Sequence, residues 1–160
     1  MTAGESPRAA PGADVRIPPP LMYAVPLVLL WLLDRIIPLR MPADGWRASI
    51  GWVLVASGVA LAVSGASTFR RHGTTVIPHH AVSSFVTSGP YRVTRNPMYL
   101  GMSTAYLGAG LVVGSWWPLL GLPVIILLVD RFVIAREEAY LRTRFGADYD
   151  DFCARTRRWL

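Results

Sequence analysis

Residues 97–135, PMYLGMSTAYLGAGLVVGSWWPLLGLPVIILLVDRFVIA, are almost entirely apolar. This stretch changes direction at Ser115-Trp-Trp-Pro118, which predicts two helices folded back on each other. From residue 97 to 115 and from 117 to 136 the chain advances by about 27–29 Å in α-helical conformation. The hydrocarbon core of a bilayer is about 30 Å thick. The stretch therefore predicts a membrane-spanning helical hairpin.

Each open end of this hairpin carries a polar signature. Gly89-Pro-Tyr-Arg-Val-Thr-Arg-Asn-Pro-Met-Tyr-Leu-Gly101 precedes it, and Arg136-Glu-Glu-Ala-Tyr-Leu-Arg142 follows it. Because the two helices are nearly equal in length, the two signatures are expected to meet at one face of the membrane. A cluster of Arg, Asn, Tyr and paired Glu at that interface is a candidate site.

The overall composition is that of a membrane protein. Of 160 residues, 52% are hydrophobic and 16% are charged, whereas about a quarter of the residues in a soluble domain are charged. The net charge of +6 does not indicate nucleic-acid binding, because the arginines flank apolar segments. Cys153 is the single cysteine, so the chain has no intrachain disulfide and no cysteine pair for a metal.

We expect an all-α integral membrane protein with about four transmembrane helices and a short C-terminal interfacial helix. Residues 1–19, rich in Pro, Ala and Gly, are expected to form a disordered tail, and residues 20–160 a single membrane domain. The domain is expected to contain spans at residues 21–39, 46–69, 97–115 and 117–136, a loop at 70–96 and a C-terminal segment at 137–160.

The segment after the hairpin is expected to contain two helical pieces. The fourth helix should run past the membrane to Phe145, where Gly146 is a suitable stop. A last amphipathic helix should lie on the membrane surface or against the polar loop, because its apolar residues share one face: Tyr149, Phe152, Cys153, Thr156 and Trp159. Small residues suited to close helix packing include Gly51, Gly58, Gly65, Gly101 and Gly108.

The arginines predict the orientation of the chain. Four spans put the tail, the 70–96 loop and the C-terminal segment on one side, with twelve arginines, and leave three on the other. The positive-inside rule then places both termini and the candidate site at the cytoplasmic face of the inner membrane.

The residues at the predicted site indicate what it binds. Asn96-Pro97 is a typical helix start, whose free N–H groups beside Arg92 and Arg95 suit a carboxylate or phosphate. Glu137 and Glu138 suit an amino group, a cation or ribose hydroxyls. Aromatic faces for a base or a cation come from Tyr91, Tyr99 and Tyr140. S-adenosyl-L-methionine carries a carboxylate, an amino group, a positive centre and a base, and satisfies the whole set.

These motifs also carry a resemblance. Ser88 to Gly101, Arg136-Glu-Glu-Ala-Tyr-Leu141 and Arg144-Phe-Gly-Ala-Asp-Tyr149 closely resemble the isoprenylcysteine carboxyl methyltransferase family and its small bacterial relatives, which are related to the phospholipid methyltransferases. The similarity covers roughly residues 68–160. It implies an integral-membrane methyltransferase that uses S-adenosylmethionine, with a lipophilic acceptor and membrane lipids as partners.

The resemblance also implies roles for individual residues. Glu137 and Arg95 become the catalytic candidates. The implied cofactor contacts are Ser84, Phe85, Val86, Tyr91, Asn96, Pro97, Met98, Tyr99 and Glu138. The isoprenylcysteine enzymes usually have His where this chain has Asn96, and Asn does not titrate near neutral pH. A proton-accepting role at that position is therefore not expected here.

Other interpretations of the same residues stay open. Arg92 and Arg95 are also typical headgroup anchors, Glu138 can pair with Arg142 on one helix face, and His79-His80 suggests a solvated loop more than a metal site. Two acids in apolar helices, Asp34 and Asp130, are either functional or paired with the nearby Arg35 or Arg131.

The sequence also agrees with more than one function and more than one state of assembly. A membrane reductase that uses NADPH, similar to sterol reductases, and a non-enzymatic membrane scaffold remain as other functions. The methyl acceptor can be a carboxyl, thiol, amine or hydroxyl group. The glycine-rich helix faces allow a homodimer.

Overall fold

The structure is a computed structural model that describes residues 18–71 and 86–160. These residues form helices and two isolated bridges, with no β-strand among them. The elements, in chain order, are α1 (Pro19–Ile36), α2 (Gly45–Arg71), a 3₁₀ turn (Gly89–Arg92), α3 (Pro97–Val113), α4 (Trp116–Val129), a π-helical turn (Asp130–Ile134), α5 (Ala135–Phe145) and α6 (Ala147–Arg155). The predicted tail lies outside the described residues up to residue 17.

Three of these helices are long and apolar enough to cross a membrane: Pro19–Ile36, Gly45–Arg71 and the continuous helix Trp116–Phe145. Their outer surfaces expose large apolar side chains, among them Leu29, Trp52 and Leu127, each more than half exposed. Water would penalise so much exposed apolar surface, whereas lipid does not. The expected all-α integral membrane fold is confirmed.

The helix α3 begins at Pro97, as predicted, and ends at Val113, two residues before the end of the predicted span. Its 17 residues reach about 26 Å, so its role as a fourth span stays a prediction. It packs on α2 on one side and on α1 and α4 on the other. Near its N-terminal end, the Tyr23 hydroxyl of α1 lies 3.0 Å from the Ser103 hydroxyl.

The helices α2 and α3 approach each other through glycines. Gly51, Gly58 and Gly65 are buried along α2, and they meet a face of α3 that includes Gly101 and Gly108. A methyl group added to Gly58 would lie 2.5 Å from the Gly101 carbonyl oxygen. The predicted use of these glycines for close packing is confirmed.

The turn between α3 and α4 is tighter than the predicted turn at residues 115–118. Gly114, with φ +76°, ends α3, and Ser115 is the N-cap of α4, where it accepts a hydrogen bond from the Trp117 amide at 3.2 Å. The Ser115 hydroxyl also donates to Asp34 at 2.8 Å. Asp34 therefore ties the end of α1 to this turn, while Arg35 lies over the ring of Trp31.

The fourth helix continues to Phe145 and stops at Gly146, whose φ is +53°. Both points of that prediction are confirmed. The π-helical turn at Asp130–Ile134 was not predicted, because the surrounding run is apolar on all sides and has no helical periodicity to be interrupted. The turn buries Val133 and Ile134 almost completely. It lies directly before the segment that carries the two glutamates.

Helix α6 folds back onto the loop before α3. Tyr149 and Phe152 are buried in one apolar cluster with Val86 and Tyr91. Of the two predicted positions for the last helix, the one against the polar loop is confirmed.

Candidate functional site

The two polar signatures meet at the N-terminal end of α3. The Tyr99 hydroxyl donates a hydrogen bond of 2.8 Å to Glu137 Oε1. Arg95 Nη2 lies 3.3 Å from Glu138 Oε1. Because each contact joins one signature to the other, the predicted meeting of the two motifs is confirmed.

The two neighbouring glutamates have different partners. Glu138 is buried, and Arg158 reaches both of its carboxylate oxygens, with Nε 3.1 Å from Oε1 and Nη2 2.5 Å from Oε2. With Arg95 beside it, the buried charge is fully compensated, as a buried carboxylate requires. Glu137 has Tyr99 as its neutral partner. Glu138 is therefore bound by arginines, whereas Glu137 is hydrogen-bonded to a tyrosine.

Arg158 is a site residue that sequence reasoning missed. Besides Glu138 it bonds Asp130, with Nη1 3.1 Å from Oδ2. These carboxylates, Glu138 first, raise the pKa of the Arg158 guanidinium above its ordinary value. No local pattern in the sequence signals these contacts, since Arg158 is 20 and 28 residues from its partners.

These contacts rule out the local pairings that the sequence left open for Glu138 and Asp130. Glu138 does not pair with Arg142, which bonds Asp150 at 2.9 Å instead. Among the described residues Asp130 pairs with Arg158 and not with Arg131, and Asp34 accepts hydrogen bonds from Ser115 and Leu39. In both cases a partner from the C-terminal segment displaces the local pairing.

The C-terminal segment is fastened to the start of α3 through its backbone. The carbonyl oxygen of Arg158 accepts from Asn96 Nδ2 at 3.0 Å and from the Thr94 hydroxyl at 3.1 Å, and the Arg95 amide donates to the Arg157 carbonyl at 2.9 Å. Asn96 occupies the predicted N-cap position with Pro97 after it, but its side chain does not cap the helix. That part of the prediction is wrong, because the amide is used to bind the C-terminal segment.

Two buried polar atoms near the glutamates have no hydrogen-bond partner among the described residues: the Tyr91 hydroxyl and Arg95 Nε. The Tyr91 ring packs edge-on against Phe69, with the ring centroids 5.2 Å apart. Burial, and then the negative charge of Glu137, raise the pKa of the Tyr91 hydroxyl well above its ordinary value, so it stays a neutral donor. Buried donors without partners are costly, which makes these two atoms candidates for ligand contact.

The other predicted site residues lie in several different parts of the structure. Val86 lies in the apolar cluster under α6, Pro97 is buried in the first turn of α3, and Met98 packs against Gly65 of α2. Ser84 and Phe85 lie outside the described residues, as do His79 and His80. The structure therefore brings together one group of the predicted residues, namely Tyr91, Arg95, Tyr99, Glu137 and Glu138.

The apolar helices and the polar site of arginines and glutamates at one end of them are those of an integral membrane protein. The chain matches the family model for phospholipid methyltransferase over residues 46–148, well over half of its length. The chain belongs to this family, and is by family a membrane methyltransferase. An uncharacterized protein of Haemophilus influenzae is 40% identical over 63 residues, which cover 39% of this chain and 100% of that protein.

Proposed function

We propose that this protein transfers a methyl group from S-adenosyl-L-methionine to a lipophilic acceptor, at the cytoplasmic face of the inner membrane. The observation that carries the proposal is the contact between Tyr99 and Glu137 at 2.8 Å, beside the arginine-bound Glu138. It joins the two motifs at one end of helices that are otherwise apolar. A membrane methyltransferase needs polar groups of this kind next to lipid.

The chemistry of the unpartnered atoms fits the proposed cofactor. The Tyr91 hydroxyl and Arg95 Nε are buried donors, suited to a carboxylate or to ribose oxygens. Glu137 is an acceptor suited to an ammonium group or to the positive sulfonium. We propose that these three residues hold the cofactor, with Tyr99 fixing the carboxylate of Glu137.

In this mechanism the main task of the protein is to place the methyl donor and the acceptor relative to each other. When bound, S-adenosylmethionine supplies an electrophilic methyl group on a positively charged sulfur. The chain must hold the acceptor atom in line with that bond, at about 3 Å. A carboxylate or thiolate acceptor needs no base. For an amine or a hydroxyl, Glu137 takes the proton, and the Tyr99 hydrogen bond keeps its carboxylate in a single orientation.

The acceptor is proposed to reach this site from the bilayer. Tyr23 and Ser103 hydrogen-bond at 3.0 Å on the membrane side of Tyr99, so polar contacts continue from the site into the apolar helices. The outer faces of α1 and α2 are covered with apolar side chains, against which an acyl or prenyl chain can lie. The side of the membrane follows from the arginine distribution.

The test uses the full chain in lipid nanodiscs. Methyl-labelled S-adenosylmethionine and a cell lipid extract are added, and the labelled product is identified. Calorimetry measures the binding of S-adenosylhomocysteine. We expect labelled lipid from the wild type, and a loss of about 10²- to 10⁴-fold in Glu137→Gln for an amine or hydroxyl acceptor.

Asp150→Asn is the matched control, because Asp150 is an exposed acid that bonds Arg142 on the surface. It should keep wild-type transfer and binding. A wild type that neither binds S-adenosylhomocysteine nor labels any lipid would refute the proposal. A rise in melting temperature with NADPH alone would favour a reductase, and a response to neither cofactor would favour a scaffold.

A further inference from the structure

The π-helical turn determines which glutamate faces Tyr99. Successive residues of an α-helix are about 100° apart around the axis, and a π turn inserts about one extra residue. It therefore rotates everything after it by about the angle between two neighbouring side chains. Glu137 and Glu138 follow the turn at Asp130–Ile134 directly, in the first turn of α5. Without the extra residue, the two glutamates would present different faces to α3.

Arg158 bonds the first residue of this turn and a residue of the helix that follows it. Its guanidinium reaches Asp130, the first residue of the turn, at 3.1 Å, and Glu138, four residues beyond its end, at 2.5 and 3.1 Å. The indole of Trp159 adds a hydrogen bond of 3.3 Å to Asp130. The side chain of Arg158 therefore spans the whole π segment.

The same residue is bound to the segment directly before α3, the helix on which Tyr99 lies. Its carbonyl oxygen accepts hydrogen bonds from the Asn96 side chain and the Thr94 hydroxyl, at 3.0 and 3.1 Å. The rotation of α5 is thus held relative to the helix that carries the partner of Glu137. A planar guanidinium can bond two carboxylates at once, which an ammonium group does less well.

We propose that Arg158 is a positioning residue that clamps the π turn. By bonding Asp130 and Glu138 together it fixes the rotation of α5, and so holds Glu137 against the Tyr99 hydroxyl. The catalytic consequence rests on the proposed methyl transfer; the structural consequence does not.

The first test compares Arg158→Gln and Arg158→Lys with Arg155→Gln as the matched control. Arg155 is exposed and lies three residues away, and among the residues that the structure describes it bonds the Asp151 carbonyl alone. We expect Arg158→Gln to lower kcat by about 10- to 100-fold, because small displacements of a reacting group have effects of this size, with KM for the methyl donor within about threefold. Arg158→Lys should recover part of kcat, and the control should match the wild type.

Full recovery in Arg158→Lys would overturn the clamp, since charge alone would then suffice. Equal kcat in Arg158→Gln and the wild type, with only a lower melting temperature, would show a merely structural role and would also overturn it. If Arg158→Gln does not fold, Asp130→Asn removes the charge at the first end of the turn and carries the same test, with a smaller loss of kcat expected.

The second test needs no activity. In a Cys153→Ser background, spin labels at Ser57→Cys on α2 and Arg144→Cys on α5 report the position of α5 by electron–electron distance measurement. Both sites are exposed. Arg158→Gln should shift or broaden the distance distribution, whereas Arg155→Gln should not. An unchanged distribution would overturn the clamp. A wild type without methyl transfer would instead refute the proposed function, and the distances would still decide the clamp.

Discussion

The close packing of α2 on α3 makes a severe effect of Gly58→Ala the sharpest stability prediction for this chain. A Cβ on Gly58 would lie 2.4 Å from the Ala105 backbone nitrogen and 2.5 Å from the Gly101 carbonyl oxygen. Both are backbone atoms of a helix and cannot move aside. Since ordinary contacts begin near 3.4 Å, the two helices must separate by about 1 Å.

Overpacking of this kind costs about 2–3 kcal/mol of unfolding free energy, which corresponds to a fall in melting temperature of about 4–12 °C. Two other glycines of α2 give a graded comparison. At Gly65 the nearest atom is Cγ of the flexible Met98 side chain, at 2.8 Å, and at Gly45 nothing lies within 4 Å. Gly65→Ala should therefore cost about 1 kcal/mol, and Gly45→Ala should be neutral or slightly stabilising.

The assay is thermal unfolding of each variant in detergent, followed by circular dichroism at fixed protein and detergent concentrations. The highest melting temperature is expected for Gly45→Ala, a lower one for Gly65→Ala and the lowest for Gly58→Ala. If Gly58→Ala melted at the temperature of Gly45→Ala, α2 and α3 could not be packed as closely as described, and the reasoning would fail.

Three further predictions concern single polar side chains. Tyr91→Phe removes a buried hydroxyl that has no partner within residues 18–71 and 86–160, so the melting temperature should hold or rise slightly. Calorimetry should show S-adenosylhomocysteine binding about tenfold weaker, and equal affinity would exclude Tyr91 from the ligand contacts. Asp34→Ala removes the carboxylate that accepts hydrogen bonds from the Ser115 hydroxyl and the Leu39 amide. Chemical denaturation should show that the free energy of unfolding falls by about 1–3 kcal/mol. Cofactor binding should be unchanged, because these contacts lie at the other end of the helices. Asn96→Ala removes the bond to the Arg158 carbonyl, so hydrogen exchange should quicken in the C-terminal segment before the rest of the chain; uniform exchange would contradict the assigned contact.

Much of the fold could be predicted because the signals were local. The lengths of the apolar runs, the Asn96-Pro97 helix start and the stop at Gly146 each depend on a few neighbouring residues. The meeting of the two motifs followed from the nearly equal lengths of the two hairpin helices, whereas the contact between Tyr99 and Glu137 is seen only in the structure. By contrast, the 17-residue α3 ended earlier than predicted, because Gly114 adopts a left-handed conformation that leaves Trp116 free to start the next helix.

The partners of the charged residues could not be predicted in this way. The local rule pairs Glu138 with Arg142, yet an exposed pair on one helix contributes only about 0.2–0.5 kcal/mol. A buried carboxylate must be compensated, and that larger requirement decides which arginine it takes. Arg158 could meet it because α6 returns the C-terminal segment to the site.

That this chain forms apolar helices whose polar ends share one face can be inferred from the amino-acid sequence, because helix length and hydrophobicity are properties of short stretches. The different partners of the two glutamates, Tyr99 for Glu137 and the arginines for Glu138, depend on the tertiary structure. That difference depends on the rotation of α5 after a π turn and on the return of residue 158. Both are set by packing between segments far apart in the chain, which no local pattern encodes.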